Sequence, residues 1–306
     1  MSLSFTYLDP EKIMHSSDFD VVQDFLKMTN RTNIGWHYVV DLAWIYSNVK
    51  NWPKNYRVLD AGGGHGPVQF LMAELGFDVV NIDLLMAKPK YEYMKRYKTS
   101  LHKLDSHEET LYTQHLYGVR KYRALARSLY SAVNESILFR DLLSMLYNSK
   151  HNRWQSNYNK DMKIGKISWA MGNLCAMPEI DDSSFDAVVS LSSLEHIPLK
   201  NLDLAVKEIG RILKPDAKYA ITTSATHKKE SWFHEPSKGL CFSGNDLEKI
   251  FNAQSRNELS AEEVLFRYKN CKYLENNLAK FYSRSAENGM PWGKWEPKYL
   301  PVGIWS

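Results

Sequence analysis

Cysteine is scarce in this sequence: Cys175, Cys241 and Cys271 are three among 306 residues, odd in number and never in a CxxC pair. That argues against a disulfide framework and a zinc knuckle, and for a reducing compartment. Long apolar runs are missing too, and none approaches the ~18 residues that a membrane span needs. The opening MSLSFTYLDPEK has no basic stretch leading into an apolar one, as a secretory signal would. The expectation is a soluble, cytoplasmic protein. No segment is of low complexity, no repeat is visible, and 39 Lys and Arg against 35 Asp and Glu leave a formal charge of only +4. What is present is 44% hydrophobic residues, enough for a substantial buried core in one large domain or one domain with appendages.

The small net charge is unevenly spread. Lys88 to Lys166 holds sixteen Lys or Arg against seven Asp or Glu, so this stretch is basic and the rest of the chain is net acidic. Such a stretch is either a solvated helical face or an attractor for an anionic ligand. The opening 55 residues read as helical: WHYVVDLAWIY sets Trp36, Val39, Val40, Ala43 and Tyr46 on one face, and Pro53 lies beyond its end. From Tyr56 the pattern alternates. YRVLDA, FDVVNID, ISWAMG, FDAVVSLSS and AKYAITTSA read as strands, with GPVQFLMAELG and NLDLAVKEIGRILKP as helices. SGNDLEKIF reads as a helix opened by a capping box of Ser243 and Asp246, and YLPVGIW as a terminal strand. Alternation of this kind implies a mostly parallel sheet covered on both faces. The roughly eighty residues between Asp83 and Ile167 exceed an ordinary crossover and read as an inserted helical subdomain, at about 88–166.

VLDAGGGHG, Val58 to Gly66, puts four glycines among nine residues directly after a strand. Glycine costs roughly 0.5–1 kcal/mol inside regular structure, so something here needs the backbone bare. A strand running into a glycine turn and then a helix brings a ligand against backbone at the carboxyl edge of an α/β sheet. The dinucleotide pattern GxGxxG fails, because Pro67 stands where the third glycine belongs, which argues against a nicotinamide oxidoreductase. The phosphate loop fails for want of a following Lys-Ser or Lys-Thr. What fits is DxGxGxG, with Asp60, Gly62, Gly64 and Gly66.

Four motifs in order then carry a resemblance: VLDAGGGHG, the NID that ends the second strand, GNLCAMPEIDDSSFDAVVSLSSLEHI, and EIGRILKP before the fifth strand. From about Tyr56 to Phe251, the insertion apart, the chain resembles the S-adenosylmethionine-dependent methyltransferases of the Rossmann-like class, small-molecule type. The resemblance implies an α/β, doubly wound, mostly parallel sheet of the seven-stranded methyltransferase type. It implies a helical N-terminal lid at 1–55 and a methyltransferase domain at 56–306 that carries the helical insertion after the second strand. It implies S-adenosyl-L-methionine as cofactor. Asp60 and the loop of Gly62, Gly64 and Gly66 would then approach its methionine portion, and Asp83 would accept from both ribose hydroxyls. Asn173 and Leu174 would border the adenine, and Leu191 would line the same site. The family often has Asp where Asn173 stands, and LKPGG where this chain reads LKPDA. Asp60 has a second reading, in which it only holds the glycine turn through backbone N–H groups.

Methyl transfer from a sulfonium is an in-line displacement, in which a protein aligns the partners and excludes water. A base is needed where the accepting atom carries a proton. His196 in LEHI, just past the fourth strand, is the candidate base, and Glu195 its neighbour; His37, Tyr38, Trp232 and His234 are candidates for the acceptor pocket. Each has a plainer alternative, as a cap beside Pro198 or as core. No metal-ligating set is indicated. The expected acceptor is an oxygen or nitrogen on a small or medium polar metabolite of sugar or nucleotide-sugar type, anionic if the basic stretch attracts it. DPPY and NPPY, which mark base-modifying nucleic-acid methyltransferases, are absent, and SLEHI occupies that place. An RNA or protein methyltransferase, and a non-catalytic S-adenosylmethionine-binding partner protein, are the alternatives.

Overall fold

The computed structural model describes residues 3–29, 31, 34–84, 97–103, 164–277, 290 and 294–306. Its centre is a sheet of nine strands: β1 (Leu3–Tyr7), β2 (Arg57–Ala61), β3 (Asp78–Asp83), β4 (Lys98–Lys103), β5 (Lys166–Met171), β6 (Phe185–Leu191), β7 (Leu213–Ala225), β10 (Ala253–Ser255) and β11 (Leu300–Trp305). Their spatial order is β10-β1-β11-β7-β6-β2-β3-β5-β4. Only β11 runs against its neighbours, β1 and β7; every other pair in this sheet is parallel. A hairpin of β8 (Trp232–His234) and β9 (Gly239–Cys241) stands apart from it.

Central strands are apolar because both faces are covered. In β2, Val58, Leu59, Asp60 and Ala61 are all buried, and so is the whole of Val68–Glu74, the helix that follows. The helix Leu199–Ile212 is instead half-solvated and buries Leu202, Ala205, Ile209 and Ile212 at helical spacing. The step from β2 through Val68–Glu74 to β3 moves one way along the sheet, and the step from β6 through Leu199–Ile212 to β7 moves the other. Right-handed crossovers in opposite directions put the two helices on opposite faces. The fold is thus a doubly wound, Rossmann-like α/β sheet whose order reverses between β2 and β6. Ligands of such sheets bind outside the carboxyl ends of the strands at that reversal.

Several expectations need correction. The doubly wound, mostly parallel sheet is as expected, and to the six strands read from the sequence it adds β1, β4 and β10. The N-terminal 55 residues are not wholly helical: LSFTY forms β1 and pairs with β10 and β11, because its alternating Leu3 and Phe5 bury one face against the sheet. Within 88–166, Lys98–Lys103 is a strand parallel to β5, and residues 104–163 of the expected insertion lie outside the described residues. LKP, read as the end of a helix, instead begins β7. It does so as a bulge: Phe185 faces Leu213 while Ala187 faces Lys218, and Lys214, Pro215 and Asp216 stay exposed.

Candidate active site

The glycine loop leaves β2 at the reversal point. Gly62 has φ +70° and Gly64 φ +47°, both left-handed conformations that side chains disfavour. Gly62 N–H donates to the Ile82 carbonyl at 2.8 Å, extending the β2–β3 pairing by one bond, and Gly66 N–H closes a tight turn on the Gly63 carbonyl at 2.6 Å. Space around the glycines is graded. A Cβ on Gly62 would lie 1.8 Å from Ser193 Oγ, and one on Gly63 1.9 Å from Asp60 Oδ2 and 2.2 Å from Asn81 Nδ2. A Cβ on Gly64 would meet nothing closer than Asp83 Oδ2, at 3.4 Å. The roomy side of the loop therefore faces the Asp83 carboxylate.

Asp60 is fully buried beneath this loop. Asn81, its register partner across β2 and β3, donates through Nδ2 to Asp60 Oδ2 at 2.8 Å. Asp60 Oδ1 has no hydrogen-bond partner among the described residues. Burial pushes its carboxyl up to about 7, against the Asn81 hydrogen bond and with help from the Asp83 charge. No backbone N–H of the glycine turn donates to it, so Asp60 holds the turn by packing under Gly63 rather than by hydrogen bonds. The turn is braced instead by Gln69, whose Nε2 donates to the carbonyls of Gly64 and Gly66, both at 3.1 Å, while its Oε1 accepts from Trp169 Nε1. Arg31 Nη1 donates to the His65 carbonyl, and its guanidinium stacks 4.8 Å from the Phe70 ring centroid.

Asp83 ends β3, half-buried, on the loop side. Past the end of β5, Asn173 is exposed and folds its own turn, with Oδ1 accepting the Cys175 N–H at 3.0 Å, while Leu174 is buried. Leu174 also approaches the loop: its Cδ1 would be 3.7 Å from a Gly62 Cβ. Leu191, the last residue of β6, is buried. These residues share the carboxyl edge of neighbouring strands.

Past β6 the chain turns through Ser192, at φ +45°, into the short helical turn Leu194–His196. Glu195 is buried, accepting from Thr223 Oγ1 at 2.9 Å and Ser224 Oγ at 3.2 Å at the end of β7. Burial raises its pKa, and the neighbouring His196 charge opposes this. His196 is exposed, and its Nδ1 sits 2.9 Å from the Lys238 carbonyl. A carbonyl only accepts, so Nδ1 carries the proton and Nε2 the lone pair. The four aromatic candidates gather in one chain of rings about Tyr299. His37 lies 5.0 Å from Tyr38 and 5.7 Å from Tyr299; His234 lies 5.1 Å from Tyr299 and 5.4 Å from Trp232. His37 and His234 are buried, and burial lowers the His234 pKa.

Asn81, Gln69, Asp41 and Tyr299 are the residues that sequence reasoning missed. Three carried a signal: each is a lone polar side chain in an apolar run, as in VVNID, PVQFLM and YVVDLAW. A polar group in such a place is hydrogen-bonded or functional. Tyr299 had none, since only the antiparallel return of β11 brings it to this edge. Among the described residues, no group of three His, Cys, Asp or Glu is arranged to hold a metal ion, and no helix is long and apolar enough to cross a membrane.

A family model described as a methyltransferase domain matches residues 26–261. No curated protein matches the chain. Similar solved structures include the Burkholderia thailandensis 1,6-didemethyltoxoflavin-N1-methyltransferase with 1,6-didemethyltoxoflavin and S-adenosylhomocysteine, at 13% identity over 76% of this chain and 74% of that one, with a TM-score of 0.41. A TehB-like SAM-dependent methyltransferase from Corynebacterium glutamicum is 15% identical over 77% of this chain and 80% of that one, with a TM-score of 0.34.

Proposed function

The chain belongs to the methyltransferase-domain family, and we propose that it uses S-adenosylmethionine to methylate an oxygen or nitrogen of a small or medium polar metabolite, of sugar or nucleotide-sugar type. When bound, S-adenosylmethionine supplies an electrophilic methyl group on a sulfonium. The observation that carries the cofactor part is the roomy left-handed Gly64 facing the Asp83 carboxylate at the reversal of the sheet. In this reading Gly62, Gly64 and Gly66 give the methionine portion bare backbone. Asp83 accepts from the ribose hydroxyls, as a two-oxygen acceptor does well. Asn173 and Leu174 border the adenine with backbone and apolar surface, since the Asn173 oxygen already serves its own turn. Leu191 and Asp60 close the site from below.

The acceptor part rests on the rings. His37, Tyr38, Trp232 and His234 offer apolar faces with hydrogen-bonding edges, which suit a sugar ring or a heterocycle more than a protein segment. Glu195 adds a buried carboxylate beside them, and His196 stands at the rim. The basic stretch from Lys88 supplies long-range attraction for an anionic acceptor. The test is methyl transfer from radiolabelled S-adenosylmethionine to the low-molecular-weight fraction of a cell extract, beside calorimetry of the cofactor. Label in small molecules supports the reading. Label confined to RNA or protein would replace the acceptor class, and cofactor binding without transfer would favour a non-catalytic partner.

A further inference from the structure

Resting on this methyl-transfer reading, we propose that His37, oriented by Asp41, is the general base that takes the acceptor's proton. The two residues stand one turn apart on the helix Tyr38–Val49 and its His37 cap, so their side chains meet on one face. His37 Nδ1 lies 2.8 Å from Asp41 Oδ2. A carboxylate accepts, so Nδ1 donates and the lone pair is on Nε2. Nε2 has no hydrogen-bond partner among the described residues, and the side chain is buried. The ring is held edge-on by Trp36 at 4.8 Å, Tyr38 at 5.0 Å and Tyr299 at 5.7 Å, which leaves little freedom to turn away.

The dyad is also tied to the glycine loop. Ser192 Oγ donates to the same Asp41 oxygen at 3.1 Å, from a backbone at φ +45° that a serine adopts only when its surroundings impose it. The next residue, Ser193, is the one packed against Gly62. One short run of chain therefore connects the end of β6, the loop and the histidine. Asp41 is fully buried, and its second oxygen has no hydrogen-bond partner among the described residues. A packing histidine has no use for a buried acid in the middle of an apolar helix, whereas an imidazole that gains a proton does.

Four titratable groups face His37. Asp41 comes from its own helix, Glu195 from the turn after β6, and the phenols of Tyr38 and Tyr299 from either side, both held neutral by burial. Asp41 engages Nδ1–H, so the incoming proton goes to Nε2. His196 is tied to a carbonyl and stands in solvent. In the step itself, the acceptor's O–H or N–H proton passes to Nε2 and the acceptor lone pair bonds the transferred methyl. The C–S bond breaks and leaves its electron pair on sulfur.

The experiment uses the full chain with labelled S-adenosylmethionine and the small-molecule extract fraction. His37→Asn should lower transfer about 100-fold or more, the range of a lost general base, with cofactor affinity unchanged by calorimetry. The acidic limb of the rate–pH profile should vanish, and free imidazole should restore part of the rate to His37→Ala. Asp41→Asn, which keeps an acceptor for Nδ1–H, should fall between. Independently of activity, carbethoxylation followed by peptide mass spectrometry should modify His37 at Nε2. The proposal is overturned if His37 is inert to the reagent, or if His37→Asn transfers methyl at the wild-type rate. It is also overturned if His196→Asn, rather than His37→Asn, removes the pH limb. Failure of the wild-type chain to bind S-adenosylmethionine would remove the reading of the site, and the dyad's role with it.

Discussion

Alanine at two adjacent glycines separates what the loop does for the fold from what it does for the ligand. At Gly64 the backbone is left-handed, which costs an alanine about 1–2 kcal/mol. The added methyl has room, however, because its nearest neighbour is Asp83 Oδ2 at 3.4 Å. Gly64→Ala should therefore fold and melt only a few degrees early. The methyl occupies the space beside the carboxylate that the ligand needs. Loss of two hydrogen bonds to a charged acceptor, each worth about 1.5 kcal/mol, weakens S-adenosylmethionine roughly 100-fold. At Gly63 φ is not positive, yet the methyl would lie 1.9 Å from Asp60 Oδ2 and 2.2 Å from Asn81 Nδ2. Those two atoms are buried and bonded to each other at 2.8 Å, so the pair must part and leave a buried carboxylate unsatisfied. That costs at least ~1–3 kcal/mol beyond the clash, and Gly63→Ala should melt well below Gly64→Ala. Differential scanning calorimetry and titration calorimetry on both variants decide the matter. A Gly64→Ala protein that binds as wild type, or a Gly63→Ala protein that is the more stable of the two, would refute the reasoning.

Gln69→Leu removes both donors to the Gly64 and Gly66 carbonyls and the acceptor for Trp169, so it should lower both the melting temperature and cofactor affinity; Gln69→Glu, which buries a carboxylate against those two carbonyls, should melt at least as early by calorimetry. Asp60 binds its proton more tightly folded than unfolded, since burial lifts its carboxyl to about 7; its contribution is fully present below about pH 4 and is lost as pH rises through about 7. The difference in melting temperature between Asp60→Asn and wild type should grow in favour of the variant across that window, and a difference independent of pH would contradict the assignment. If the basic stretch from Lys88 draws in an anionic acceptor, acceptor KM should rise with salt while cofactor affinity holds, because exposed charges are screened over about 8–10 Å near physiological ionic strength. A salt-insensitive KM would leave that stretch a solvated face.

The frame of this site was legible in the sequence because its parts lie within a few residues of strand ends. VLDAGGGHG, NID and LEHI each mark a carboxyl end, and β2, β3 and β6 bring those ends side by side. The reversal between β2 and β6 shows only in the strand order, since alternation implies a parallel sheet but not its order. What the sequence obscured depends on contacts between distant segments. Asp41 reads as one acid in a helix until Ser192, far along the chain, donates to it. Tyr299 reads as the first residue of a terminal strand, and only the pairing of β11 with β7 shows that it lies beside His37 and His234. β1 was hidden because five residues are too few for periodicity to separate a strand from a helical start. The resemblance pointed to His196, yet exposure and a carbonyl partner distinguish it from the buried dyad at His37, which only packing reveals.

Titration of S-adenosylmethionine into the wild-type chain and into Asp83→Ala is the most direct test of the claim that the glycine loop and the acid after β3 hold the cofactor. The wild type should bind one molecule per chain. Asp83→Ala should bind about 100-fold more weakly, by the loss of two hydrogen bonds to a charged acceptor of about 1.5 kcal/mol each. Asp83→Asn, with an acceptor but no charge, should fall between them. A wild-type chain that does not bind, or an Asp83→Ala variant that melts earlier yet binds normally, would contradict the account.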